Sequence, residues 1–163
     1  MMPDLDLAAA SGRLAELLRE ARVEFEVLPH RRTTTAGSEA RVLGVPPEET
    51  AKTLITKGER GYVRAVVPAA EHLDLEKLGA VLGGETMTLL TESELVSAYP
   101  QFELGAVPPF GGPEGELAVV DRRLAECEHV VLEAGVHDAS LRLRTDDLLI
   151  VADAKLAEIA EDQ

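Results

Sequence analysis

Several residue types that support common protein classes are scarce in this sequence of 163 residues. Its one cysteine, Cys127, excludes a disulfide scaffold and a zinc site built from several cysteines. There is no tryptophan and aromatic residues make up only 3%, so Val, Leu, Ile and Ala must fill the core. No apolar run approaches the roughly 18 residues of a membrane span, and Met1 to Asp6 is acidic where a signal peptide is basic. We therefore expect a cytoplasmic protein without a membrane segment.

The sequence is rich enough in apolar residues to fold by itself. Hydrophobic residues account for 45% of the chain, which excludes an intrinsically disordered protein. The length is within the usual range of one domain. We expect residues 1–163 to form a single domain.

The charge of the chain is negative and unevenly distributed. The formal net charge is −14, and residues 1–64 are neutral overall, so residues 65–163 carry the whole excess. A general nucleic-acid binder carries a basic face, because phosphate neutralisation supplies most of its non-specific affinity. Any nucleic-acid contact is therefore expected to be local and to use the first part of the chain. The basic residues considered for it are Arg31, Arg32, Arg41, Lys52, Lys57, Arg60 and Arg64.

Apolar residues at helical spacing predict several short helices. Leu14, Leu17 and Leu18 lie three or four residues apart and predict a first helix over about 11–22. Asp74 and Thr91 are residues that cap helices well. The other predicted helices cover 37–43, 75–82, 92–99 and, with a break near Ala152, 146–160.

Short runs rich in branched and apolar residues predict strands. The predicted strands cover 25–28, 52–57, 62–67, 116–120, 129–133 and 139–143. The segment 58–61 contains two glycines and predicts a hairpin between the second and third of these strands. Strands and helices follow each other without a regular βαβ order. This favours an α+β fold, with a mixed β-sheet and helices packed around it, over a doubly wound fold.

Common catalytic motifs are absent from the sequence. It contains no phosphate-binding loop, no H-E-x-x-H zinc motif and no G-x-S-x-G nucleophile elbow. Cys127 lies between Glu126 and Glu128, which should raise its pKa and make it a poor nucleophile. We therefore expect no metal site and no catalytic cysteine.

Two features remain as candidates for a site. The segment Gly105–Gly111 is stiffened by prolines, yet it carries Val107 and Phe110. It is either a rigid crossover packed on the core or one wall of a small pocket. Lys52 shares a strand face with Leu54, so it either points inward towards an anionic or carbonyl partner or is an ordinary exposed lysine.

Four elements in this order resemble the YbaK/EbsC family of aminoacyl-tRNA deacylases, whose domain is also inserted in bacterial prolyl-tRNA synthetases. They are Thr50–Leu54 (TAKTL), Gly105–Gly111, Glu133–His137 (EAGVH) and Asp146–Leu148. The resemblance extends from about Val23 to the end of the chain. It implies a mixed, barrel-like β-sheet core surrounded by helices. It also implies hydrolysis of mischarged tRNA that carries a small amino acid, such as Cys- or Ala-tRNA(Pro).

The same resemblance implies which residues form the site. Lys52 matches the lysine of the family and is expected to act near the scissile ester or the terminal nucleotide. Thr53 matches the branch that clears cysteine, but the Gly/Pro loop differs from that branch, so the subfamily is open. His137 lies where some branches have a histidine. The residues implied in substrate binding are Thr53, Gly105, Pro108, Gly111 and His137.

No cofactor or metal is implied, because an aminoacyl ester is already an activated bond. A water molecule, the ribose 2′-hydroxyl group or a substrate thiol would attack, while the protein supplies orientation and charge stabilisation. The expected partner is the aminoacylated acceptor end of tRNA, and a prolyl-tRNA synthetase is left open as a second partner.

Two other interpretations of the chain remain. It could be a catalytically inactive binding or regulatory module that recognises an aminoacyl group, a nucleotide or a synthetase. Such a module would have a filled pocket or lack the lysine. It could also be an interaction domain that attaches to a synthetase through its acidic half. Deacylation by the protein alone would exclude both.

Overall fold

The computed structural model describes residues 5–111 and 116–162. Expectations about Met1 to Asp4 and about residues 112–115 lie outside the described residues. The helices are α1 (Leu5–Glu20), α2 (Ala36–Leu43), α3 (Leu75–Val81), α4 (Glu92–Ala98), α5 (Arg122–Ala125) and α6 (Thr145–Val151), with a short 3₁₀ helix at Pro47–Glu49. The strands are β1 (Phe25–Pro29), β2 (Ala51–Gly58), β3 (Gly61–Pro68), β4 (Thr88–Leu89), β5 (Leu117–Asp121), β6 (His129–Glu133), β7 (Ala139–Arg144) and β8 (Lys155–Ala157).

These strands form two sheets. The first is antiparallel, in the order β1-β7-β6, and the second has the order β4-β2-β3-β5-β8. In the second sheet β2 is antiparallel to β3 and β4, whereas β5 is parallel to β3 and β8. The predicted α+β fold with a mixed sheet and surrounding helices is confirmed. Within the described residues an isolated parallel bridge between Thr50 and Val131 links the two sheets, but they do not close into a barrel.

The second sheet is buried on both faces. Val66 and Val120 pack with Leu132 and Leu141 of the first sheet. On the opposite face, Val63, Ala65 and Val67 pack with α3 and the end of the chain. Residues 63–68 of β3 are therefore all buried, which is typical of a strand that is covered on both sides.

Local capping signals place several helices where the sequence predicts them. The Asp74 side chain accepts hydrogen bonds from the first turn of α3. Thr91 and Glu94 form a reciprocal capping box at the start of α4. Gly44, at a φ of +69°, ends α2. In the described part of the chain, no helix is long and apolar enough to cross a membrane.

The end of the chain differs from the prediction. The predicted helix over 146–160 is wrong beyond Val151, and residues 155–157 form β8 beside β5. The carboxylate of Asp121 accepts hydrogen bonds from the backbone N–H groups of Ile159 and Ala160, both at 2.9 Å. These long-range contacts outweigh the helix propensity of the segment. The prediction also starts α1 six residues too late and misses α5 and β4.

Candidate functional site

A cavity of about 310 Å³ lies beside the first half of β2, at the edge of the five-stranded sheet. Its volume is at the lower end of the range for small-ligand sites, which begins at about 300 Å³. Its polar or glycine lining consists of Thr34, Thr35, Lys52, Thr53, Gly105 and Glu133. Its apolar lining includes Leu54, Ile55, Leu89, Leu90, Leu95 and Val107. The cavity thus combines an aliphatic wall with a few polar groups.

β2 borders this cavity because its first half is an open edge of the sheet. β3 pairs with the whole of β2, but β4 pairs only with Thr56 and Lys57. The Leu90 N–H donates to the carbonyl oxygen of Ile55, so the peptide groups of Ile55 face away from β3. Those of Thr53 face the same way, because peptide directions alternate along an antiparallel strand. The sheet therefore presents both side chains and the backbone of β2 on the cavity side.

Lys52 is half-buried, and its ammonium group is held by the main chain. Nζ donates a hydrogen bond of 2.6 Å to the backbone carbonyl oxygen of Glu71. Burial lowers the pKa of Lys52 from its usual value, and the negative charge of Glu71 acts in the opposite direction. Because an ammonium group has three protons, two of them remain for other partners.

The Gly/Pro segment contributes only its first part to the cavity. Gly105, at a φ of +84°, and Val107 line it, whereas Pro108 is buried and lies outside the lining. Gly111, at a φ of +85°, packs on α1, where a Cβ atom would lie 2.7 Å from Leu14 Cδ2. The segment is thus a cavity wall at one end and a crossover packed on the core at the other.

His137 lies behind Gly105, outside the lining of the cavity. A Cβ atom on Gly105 would lie 3.6 Å from Cε1 of the His137 ring. Nε2 of His137 is 2.6 Å from the carbonyl oxygen of Leu104, so Nε2 carries a proton and donates it. The backbone N–H of His137 donates to Oε2 of Glu103 at 2.5 Å. These contacts join His137 to the segment that carries Gly105.

Glu133 is a cavity residue that the sequence analysis did not select. Its side chain is only 12% exposed, and its Oε2 lies 3.8 Å from Nδ1 of His137. Burial raises the pKa of Glu133 to about 9, and the negative charges of Glu39 and Glu103 add to this effect. We call Glu39, Glu103, Glu133 and His137 the acidic cluster.

Glu39 is the most deeply buried member of the acidic cluster, at 2% exposure. Burial raises its pKa to about 7, although a hydrogen bond donated by the Ser140 hydroxyl group opposes the shift. Ser140 is the direct cross-strand neighbour of Glu133 in the pairing of β6 with β7. The acidic cluster therefore joins α2, the first sheet and the cavity.

The remaining lining residues also went unselected in the sequence. Thr34 and Thr35 precede α2, and the Thr35 hydroxyl group caps that helix. Leu89 and Leu95 belong to β4 and α4, which cross the open edge of β2. The capping preference of threonine could have drawn attention to Thr35 in the sequence. The leucines have no such local signal, because their contact with the cavity depends on how β4 and α4 pack beside β2.

The basic residues of the first part of the chain are less available than the sequence suggests. Arg64 is only 3% exposed and pairs with Glu116, so its inclusion among tRNA-contacting residues is wrong. Lys57 pairs with Glu94, and Arg60 pairs with Glu85. The other arginines of that set, Arg31, Arg32 and Arg41, are not buried.

Other candidate features do not form a second site of this kind. The pKa of Cys127 is raised by burial and by the charges of Glu49, Glu126 and Glu48, which is the direction that the sequence predicts. The described residues contain no group of three or more His, Cys, Asp or Glu arranged to hold a metal ion. Two grooves of about 560 Å³ are larger than the cavity, but they are more open and neither contains Lys52.

Comparisons with known proteins agree with this geometry. The family model of the aminoacyl-tRNA editing domain matches residues 30–150. A candidate Cys-tRNA(Pro)/Cys-tRNA(Cys) deacylase, EbsC of Enterococcus faecalis, is 26% identical over 148 residues, which are 90% of each chain. The proline–tRNA ligase of Thermosipho africanus is 32% identical over 96 residues, which are 59% of this chain and only 16% of the ligase.

A solved structure extends the likeness to the whole fold. A crystal structure described as that of a candidate trans-editing enzyme for prolyl-tRNA synthetase superposes with a TM-score of 0.82. It is 25% identical, and the match covers 99% of both chains. The matched region contains β2, the Gly/Pro segment and the acidic cluster.

Proposed function

This chain belongs to the aminoacyl-tRNA editing domain family, and we propose that it hydrolyses mischarged aminoacyl-tRNA in trans and releases a small amino acid. The observation that carries the proposal is the cavity of about 310 Å³, which brings Lys52 and Gly105 together beside an aliphatic wall. The likeness to EbsC and to a trans-editing enzyme over nearly the full chain supports it.

In this proposal Lys52 is the catalytic residue. Water attacks the ester carbonyl carbon and gives up a proton, while negative charge develops on the carbonyl oxygen. The Lys52 ammonium group stabilises that charge, while the Glu71 carbonyl oxygen holds Nζ in place. Such preorganised stabilisation is the largest contribution in many acyl-transfer enzymes. The leaving group is the ribose hydroxyl group of the terminal nucleotide, which takes up a proton.

Selection of a small amino acid follows from the shape of the cavity. Leu89, Leu90 and Leu95 lie on one side, and Val107 on the Gly/Pro segment closes another. In this proposal Thr53 and Gly105 contact the substrate directly. Pro108, Gly111 and His137 act by holding the wall, since they lie outside the cavity lining.

The proposed partner is the acceptor end of tRNA. The exposed Arg31, three residues before Thr34 of the cavity, is the proposed contact to the terminal phosphates, because Arg32 is paired with Glu103. A prolyl-tRNA synthetase is the proposed source of mischarged tRNA, because related domains occur in proline–tRNA ligases. We further propose that the protein acts as one domain, in the cytoplasm and without a metal ion.

The direct test is deacylation of a panel of tRNAs charged with Ala, Cys, Ser, Thr and Pro. The wild type should discharge one or two of them. Lys52→Ala should reduce the rate by about 100- to 1000-fold, as loss of one charge-stabilising donor does in other enzymes. Lys155→Ala is the matched control, because Lys155 lies on β8, away from the cavity lining, and is exposed.

Comparing the two variants distinguishes the loss of a catalytic group from the general effect of removing one positive charge. If Lys52→Ala folds normally and keeps its rate, Lys52 is not catalytic. If the wild type discharges none of the five tRNAs, the inactive binding module becomes the better interpretation.

A further inference from the structure

The cavity is lined by the ammonium group of Lys52 and the carboxyl group of Glu133, and the mechanism above uses only the ammonium group. Lys52 supplies a cation on β2, whereas Glu133 supplies a carboxyl group from the end of β6. An aminoacyl ester has the complementary pattern, because its carbonyl oxygen becomes negative during hydrolysis and its α-amino group takes up a proton readily.

Glu133 has no cation close enough to balance it. Among the described residues, none donates a hydrogen bond to its carboxyl group, and the ionisable side-chain nitrogen beside it, Nδ1 of His137, is 3.8 Å away. That distance is too long for a hydrogen bond. The Arg32 guanidinium group, which could have served, is bound instead to Glu103 at 2.8 Å. A buried carboxyl group in this setting lacks a positive partner.

Two further polar atoms of the acidic cluster are also without partners. Nδ1 of His137 and Oε1 of Glu39 are buried and accept or donate no hydrogen bond. Both residues are more than nine-tenths buried. Buried polar atoms are normally paired, so these two unpaired atoms show that the polar groups behind Glu133 are incompletely satisfied.

We propose that the Glu133 carboxyl group is the recognition site for the α-amino group of the aminoacyl substrate, opposite Lys52 at the carbonyl oxygen. The inference rests on the proposed function, which supplies the substrate class. It assigns to Glu133 the role of selecting an aminoacyl group with a free amine over other acyl groups.

The charge states of the two groups allow this pairing. Burial keeps Glu133 protonated in the empty cavity near neutral pH, since its pKa is raised to about 9. A neutral carboxyl group beside a neutral amine holds as many protons as a carboxylate beside an ammonium group, so the two forms of the pair differ only in where one proton lies. The pair therefore forms by moving that proton between Glu133 and the amine. The hydrogen bond is charge-assisted in the ionic form.

The test is a binding experiment with two non-hydrolysable probes. One is 3′-deoxy-3′-(L-alanylamino)adenosine, in which an amide replaces the ester. The other is its L-lactoyl counterpart, in which a hydroxyl group of similar size replaces the amine. Calorimetric titration of the wild type should show about 10- to 100-fold tighter binding of the amine probe, the range of a hydrogen bond to a charged group.

Variants then test whether Glu133 is the residue that produces the preference for the amine probe. Glu133→Gln and Glu133→Leu should both reduce it to less than about 3-fold, since neither can pair ionically with the amine. Glu39→Gln is the matched control, because it removes a neighbouring carboxyl group that does not line the cavity. It should retain the preference.

Each outcome decides the inference. It is overturned if the wild type binds both probes equally or binds neither, if Glu133→Gln and Glu133→Leu keep the preference, or if Glu39→Gln loses it as completely. The charged-tRNA panel is run in parallel. Deacylation without an amine preference rejects this inference alone, whereas an amine preference without deacylation rejects the proposed function alone.

Discussion

Two groups of buried polar side chains in this protein both contain glutamates, but they differ in whether a cation balances the carboxyl groups. The first, which we call the paired cluster, consists of Arg64, Glu116 and Tyr99. Arg64 Nε lies 2.7 Å from a Glu116 oxygen, and the Tyr99 hydroxyl group donates to the same carboxylate. The Arg64 guanidinium group also lies 5.5 Å from the centre of the Tyr99 ring.

In the acidic cluster, Glu39 and Glu133 are carboxyl groups without matching cations, whereas Glu103 is paired with Arg32. Burial raises the pKa of Glu133 to about 9 and that of Glu39 to about 7. In the paired cluster the Glu116 carboxylate has both a cation and a donor within reach. Nη2 of Arg64 also lacks a hydrogen-bond partner, but the charge of its guanidinium group is balanced by Glu116. The two clusters therefore differ in charge balance: among the described residues no cation pairs with Glu39, and Glu133 lines a cavity that a ligand can enter.

The largest expected effect comes from breaking the paired cluster. Arg64→Met leaves the Glu116 charge buried and without a cation, which should lower the free energy of unfolding by about 3–5 kcal/mol. Urea denaturation measures the change. The double variant Arg64→Met/Glu116→Met removes both charges and should recover much of the loss. A loss below about 1 kcal/mol in the single variant contradicts the importance of the pair.

The next effect is the pH dependence that the acidic cluster gives to stability. Glu133 has a folded pKa of about 9, above an unfolded value of about 4.3, so the folded state binds more protons between these values. Its contribution is complete below pH of about 4.3 and is lost as the pH rises towards 9. The charged groups around Glu133 are Glu39, Glu103, His137 and Lys52, and Glu39 adds a similar decline up to pH of about 7.

Glu133→Gln isolates the part that belongs to Glu133. The variant should become more stable than the wild type as the pH rises from 5 to 9, with a difference on the order of a few kcal/mol at pH 9. Denaturation at both pH values provides the measurement. Parallel pH profiles for the two proteins would show that Glu133 is not protonated in the folded state.

The smallest effect is expected at the exposed rim of the acidic cluster. Arg32 pairs with Glu103 at 2.8 Å, but its side chain is 61% exposed. Arg32→Ala should therefore lower the free energy of unfolding by no more than about 1 kcal/mol. The pKa of Glu103, which Arg32 helps to lower, should rise in an NMR titration. A loss of several kcal/mol would show instead that the ion pair of Arg32 with Glu103 contributes to stability as a buried pair does, as expected for Arg64 with Glu116.

Local chemistry made much of the fold predictable. The caps Asp74 and Thr91 and the hairpin between β2 and β3 depend on neighbouring residues, and they lie where the sequence places them. β8 was missed because its strand conformation depends on pairing with β5 and on Asp121. Arg64 was assigned to the surface because its burial depends on elements that cover both faces of β3.

The candidate site shows the same limit. Lys52 and Gly105 belong to recognisable sequence elements, and both line the cavity. Glu133 lies in one of those elements, but His137 is the residue of that element that the sequence resemblance points to. The significance of Glu133 depends on Glu39 and Glu103, which reach it only through the fold. A sequence pattern thus identifies residues that belong to a recognisable local motif, but it does not identify residues whose role depends on contacts with residues far away in the sequence.

The hydrogen bond from Lys52 to Glu71 has a consequence for how this site tolerates mutation. Nζ is held by a backbone carbonyl oxygen, and every amino acid at position 71 would present the same atom. The orientation of the ammonium group is thus encoded by the path of the chain after β3. Substitutions at position 71 remove the ion pair of Glu71 with Arg123 but keep the backbone oxygen that binds Lys52. Side-chain mutagenesis would therefore report the effect of the ion pair and would not detect the contribution of this residue to positioning Lys52.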